Sequence, residues 1–109
     1  MVFTVTSEPG EGSTVLHLAG ELDLAGRNRL LRCVERGIAE GRPEMALDLD
    51  KLAFCDSTGL ATMIRARRLC VAAGGWLHVF GAQGQVASVL SVTGLGALLL
   101  SRQRPTRTT

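Results

Sequence analysis

Residues 45–64 read MALDLDKLAFCDSTGLATMI, Met45 to Ile64, and the way this stretch folds decides the rest. Met45 to Asp50 alternates apolar and polar residues, which puts Leu47 and Leu49 on one face of a half-buried strand and Asp48 and Asp50 on the other. Leu60, Met63, Ile64 and Val71 then recur at helical spacing, predicting a helix over residues 57–73. Between the two patterns stands Asp56-Ser57-Thr58-Gly59. Short oxygen-bearing side chains of this kind accept hydrogen bonds from the free N–H groups of a helix start. The stretch is therefore a strand, a turn and a helix, with the Ser57 hydroxyl at the positive end of the helix.

Working outward, the same two periods recur. Residues 1–6 (MVFTVT) and 13–19 (STVLHLA) alternate as strands and are separated by Pro9, Gly10 and Gly12, which predicts a hairpin. Leu16 and Leu18 point inward and His17 outward. Gly20-Glu21-Leu22-Asp23 ends the second strand, and Leu30, Leu31, Val34 and Ile38 give one apolar face to a helix over residues 25–41, stopped by Gly41 and Pro43. Beyond Gly74-Gly75, residues 76–80 (WLHVF) form a strand, and Val86, Val89 and Leu90 mark a third helix over 84–93. Residues 95–100 fit a last short strand, and 102–109 form a flexible basic tail without an apolar residue.

Strands that alternate with helices imply an α/β fold with a parallel sheet joined by right-handed crossovers. Thr4, Thr6, His17, Asp48, Asp50 and His78 keep one sheet face polar, so the helices are expected mainly on the other face. The expected architecture is one domain over residues 1–101, with a mixed, mostly parallel sheet of four to five strands, followed by the tail.

The totals exclude several classes of function. A chain of 109 residues with 46% hydrophobic and 20% charged residues suits a single globular core. A net charge of +2, with much of the basic excess in the tail, argues against a nucleic-acid partner. No leader-like start and no apolar run of spanning length is present, so a cytoplasmic protein without a membrane partner is expected. Cys33, Cys55 and Cys70 lack C-x-x-C spacing, which favours reduced, packed thiols over a disulfide or a zinc site. No metal site, cofactor or catalytic residue is expected. There is no phosphate-binding glycine loop, and His17 and His78 read as structural histidines on the polar face. Ser57 lacks the G-x-S-x-G frame of a hydrolase nucleophile. Arg65, Arg67 and Arg68 read first as a solvated helix face, with a salt bridge to a partner as the alternative.

Two stretches remain, Glu21-Leu22-Asp23 and Asp56-Ser57-Thr58-Gly59. Each joins a strand to a helix, and right-handed crossovers bring such junctions to one edge of the sheet, where sites form. Helix capping alone accounts for both on spacing. The functional alternative is a switch, in which phosphate on Ser57 adds about two negative charges beside Asp56 and expels a partner surface while the fold survives.

Gly20-Glu21-Leu22-Asp23, Leu47-Asp48-Leu49, Phe54-x-Asp56-Ser57-Thr58-Gly59-Leu60, Gly74-Gly75 and Thr93-Gly94-Leu95, in this order, resemble a STAS domain. More narrowly they resemble a bacterial anti-sigma factor antagonist. The resemblance runs from Val2 to about Leu100. It implies that the unphosphorylated protein binds a cognate anti-sigma factor with GHKL-type serine kinase activity, freeing the sigma factor. Phosphorylation at Ser57 then ends binding, and a serine phosphatase restores it. By position, Ser57 is the implied phosphoacceptor and Thr58 the weaker candidate; Glu21, Asp23, Asp56, Ser57, Thr58 and Gly59 are the implied partner contacts, on a monomer or weak dimer. Leu24-Ala25-Gly26-Arg27 departs from the family pattern, which has Thr or Ser soon after the Asp. The alternative reading is a non-switching STAS scaffold in a stress-signalling assembly.

Overall fold

The computed structural model describes residues 2–94. The strand expected at 95–100 and the tail at 102–109 lie outside them. The elements run β1 (Thr4–Pro9), β2 (Thr14–Leu22), α1 (Leu24–Ala39), β3 (Glu44–Cys55), α2 (Ser57–Ala72), β4 (Trp76–Phe80) and α3 (Gly84–Thr93). The sheet order is β1-β2-β3-β4; β1 is antiparallel to β2, and the β2–β3 and β3–β4 pairs are parallel. This is the mixed, mostly parallel sheet that the alternating pattern predicts.

The core forms where the apolar stripe of each helix meets the apolar face of the sheet. Leu16, Leu18, Leu47, Leu49, Leu77 and Val79 from the strands join Leu30, Val34, Leu60, Met63, Val86 and Leu90 from the helices in one buried cluster. On the opposite face His17, Asp48 and Asp50 are half-buried and His78 is exposed. There His17 takes Asp48 at Nδ1 and Glu8 at Nε2, each at 2.7 Å, so one side chain ties β1, β2 and β3 together.

Two strands depart from the expected bounds. β1 occupies Thr4–Pro9 instead of 1–6, pairing from Thr4 with Ala19 to Pro9 with Thr14, and the turn closes through Gly10 N–H to Ser13 C=O at 2.8 Å. Pro9 reads as a breaker, but β1 is an edge strand, where a missing N–H breaks no second ladder. β3 continues past Asp50 to Cys55. Its pairing steps from His17–Asp48 to Ala19–Lys51, and from Gly20–Leu52 to Glu21–Phe54, so β3 gains one residue on β2 at each step. These two bulges shift the side-chain alternation, leaving Leu49 and Leu52, three apart, both buried.

β4 pairs with β3 only from Glu44 to Asp48. Further along, side chains from the start of α3 serve the β3 backbone. Gln83 Nε2 donates to the Asp50 carbonyl at 2.6 Å. Gln85 accepts from Cys55 N–H and donates to Cys55 C=O, both at 2.9 Å. Beyond Asp48 the edge of β3 that β4 leaves free is thus hydrogen-bonded in part by side chains, while β2 pairs with the other edge to Cys55.

Candidate functional site

The β2–α1 and β3–α2 junctions lie side by side. Leu22 is in register with Cys55, so Asp23 and Asp56, each one residue further on, occupy the same sheet edge. Asp56 N–H reaches the Leu22 carbonyl at 3.4 Å. Each aspartate caps the helix that follows. Asp23 Oδ1 accepts from Ala25 N–H at 3.0 Å, and Asp56 Oδ1 accepts from Gly59 N–H at 2.8 Å. Both carboxylates are therefore held by helix N–H groups and remain half-buried at the surface.

Gly59 makes this adjacency possible. A Cβ there would fall far inside van der Waals contact of the Leu22 carbonyl oxygen and lie 2.9 Å from Cys55 Sγ. The first turn of α2 can sit on the end of β2 only because that atom is missing. Gly26 does the same for α1, where a Cβ would meet the Phe3 ring at 2.9 Å.

Ser57 is the first residue of α2 and is exposed, Thr58 is half-buried and Gly59 is buried. Glu21, the penultimate residue of β2, is half-buried beside Phe54 in register. The structure thus gathers all six predicted site residues on one edge. Neither histidine reaches Ser57. His17 is engaged by Glu8 and Asp48 on the polar sheet face, and His78 stacks on Trp76 with ring centroids 5.0 Å apart. Cys55 lies beneath the turn; burial and the neighbouring Asp56 carboxylate push its thiol up to about 11, so it stays protonated and inert at neutral pH. Among the described residues no cluster of His, Cys, Asp and Glu is arranged to hold a metal, and no helix is long and apolar enough to cross a membrane.

Between α1 and α2 opens a groove of about 370 Å³ lined by Arg27, Ser57, Thr58, Ala61, Thr62 and Arg65. Thr62 is buried and turns its hydroxyl back to the Thr58 carbonyl at 2.8 Å. Arg27 and Arg65 are exposed. Of the α2 arginines, only Arg65 joins the groove. The signal for it was present in the sequence: Ser57, Ala61 and Arg65 follow one another at four-residue spacing along a single helix face. Arg27 on α1 had no such signal, because only the packing of α1 against α2 brings it there.

A family model described as "Mlab, STAS domain" matches residues 6–101. Similar solved structures share the fold. An anti-sigma factor antagonist from Mycobacterium paratuberculosis is 21% identical with a TM-score of 0.80, over 94% of this chain and 87% of that one. The anti-sigma factor antagonist SpoIIAA in its unphosphorylated form is 20% identical with a TM-score of 0.77, over 93% and 90% of the two chains. The Bacillus cell-fate determinant SpoIIAA in its phosphorylated form is 20% identical with a TM-score of 0.69, over 94% and 93%. None of the curated proteins matches the chain.

Proposed function

The chain belongs to the STAS domain family, and from that premise we propose that it is an anti-sigma factor antagonist that works by partner switching. In this reading the unmodified protein binds, in the cytoplasm, an anti-sigma factor that is also a GHKL-type serine kinase, and so frees the sigma factor. The kinase transfers the γ-phosphoryl group of its ATP to Ser57 Oγ; the bond to ADP breaks and the hydroxyl proton is released. A serine phosphatase hydrolyses the phosphoserine and resets the protein. The chain itself catalyses nothing.

The observation that carries the reading is the placement of Ser57. It is exposed on the first turn of α2, directly after the half-buried cap Asp56 and on the edge shared with Asp23. Phosphate there adds a charge of about −1.5 to −2 to an edge that already carries the carboxylates of Glu21, Asp23 and Asp56. An acidic partner segment would be repelled while the core beneath stays packed.

The test is to isolate the protein from its own cells in growth and under stress, and to map phosphate by peptide mass spectrometry. Condition-dependent phosphate on Ser57 is expected, together with a co-purifying kinase. Ser57→Ala should hold that kinase irrespective of ATP, and Ser57→Asp should bind it at least tenfold more weakly. A Ser57 that stays unmodified in every condition, within a stable complex, would replace this reading with the scaffold.

A further inference from the structure

We propose that Arg27 and Arg65 form a two-armed clamp that captures the phosphate once Ser57 carries it. The inference rests on the phosphoacceptor role assigned to Ser57 and adds the residues that hold the modified state. Arg27 on α1 and Arg65 on α2 line the same groove as Ser57. Both are exposed, and neither guanidinium has a hydrogen-bond or ion-pair partner among the described residues. Three acidic residues share this edge: Asp23 and Asp56 each give one carboxylate oxygen to a helix N–H, at 3.0 and 2.8 Å, and Glu21 is half-buried beside Phe54. None of the three lines the groove, whose walls carry the two arginines and the hydroxyl-bearing Ser57, Thr58 and Thr62.

Arg65 lies two turns beyond Ser57, about 12 Å along the helix axis. Helical side chains lean toward the helix N-terminus, so Arg65 points back along the row of Ala61, and the clamp closes when an extended Arg65 meets a phosphate turned toward it. Ala61, one turn before Arg65, has no bulk to block that path. Arg27 comes from the neighbouring helix and closes the opposite wall. A guanidinium pairs with phosphate oxygens through parallel N–H donors, and two of them match the charge that phosphoserine carries at neutral pH. Capture removes two positive charges from the binding edge while the phosphate adds negative ones. The unmodified and modified proteins then differ in which groups they offer to a partner, beyond the phosphate alone.

The test needs no kinase. Phosphoserine is installed at position 57 during translation in the full chain, and the second phosphate pKa is read by ³¹P NMR at low salt. It is compared between the parent and R27Q/R65Q, with Glu21, Asp23 and Asp56 present in both as a constant background. The parent pKa should lie about half a unit or more below that of the double variant, with each single variant in between. The difference should shrink at 1 M salt. Equal values in parent and double variant, with both folded by circular dichroism, would overturn the clamp. A shift carried entirely by one arginine would overturn the two-armed arrangement. Should Ser57 prove never to be phosphorylated in cells, the switch fails on that measurement alone and the ³¹P comparison is untouched.

Discussion

Gly59 and Asp56 divide the labour of the turn between them. The carboxylate of Asp56 satisfies the Gly59 N–H, and the bare Cα of Gly59 lets α2 approach the Leu22 carbonyl. Asp56→Ala loses a cap and should cost about 1 kcal/mol. Gly59→Ala forces a methyl into backbone that cannot yield as a side-chain tip would, so its cost belongs at or above the top of the roughly 1–3 kcal/mol range of overpacking. Urea denaturation of the two variants orders them; a Gly59→Ala protein as stable as Asp56→Ala would disprove the close approach. Asp, Ser, Thr and Gly in a row are legible as a capped helix start from chemistry alone. Why the fourth must be glycine is not, because the obstructing carbonyl belongs to Leu22, far away in sequence.

At the scale of elements, apolar periodicity located every helix and strand among the described residues. Boundaries failed where backbone hydrogen bonding departs from plain ladders. β3 hides its second half because two bulges break the alternation, and Gln83 and Gln85 serve its backbone where β4 no longer pairs. His17 also gained its role from topology: Glu8 and Asp48 flank it only once β1 and β3 lie on either side of β2. Hydrogen bonds to Glu8 and then to Asp48 raise its pKa above the usual histidine value. The folded protein thus binds a proton more tightly than the unfolded chain. The stabilisation is complete below the unfolded value of about 6.5 and fades as pH rises through the higher folded value. Parent stability should therefore fall across that window, and His17→Gln should lose that part of the slope. Denaturation midpoints from pH 6 to 9 test it; a parent and variant with parallel profiles would show that His17 does not staple the strands as an imidazolium.

Across the whole molecule, the exposed edge and the buried core are separate in space, and that separation governs what a phosphate on Ser57 does. Ser57 is exposed, while the core beneath it, Leu22, Leu60 and Met63, is at most 4% accessible. A charge on the outer side of the first turn meets the favourable end of the α2 dipole and the two groove arginines, and displaces no packed side chain. Surface changes of this kind alter stability by roughly 0.5 kcal/mol or less. For a domain of this size that moves the melting temperature by less than about 4 °C. The phosphorylated protein should therefore melt close to the parent. Its ¹H–¹⁵N amide shifts should move around residues 23–27 and 56–65 and stay in place at Leu16, Leu47 and Val79. The same protein should fail to hold the kinase that Ser57→Ala retains. Were amide shifts to spread through the sheet, or the melting temperature to fall by 10 °C or more, release would come from loosening the fold, and the switch would no longer be a property of the surface.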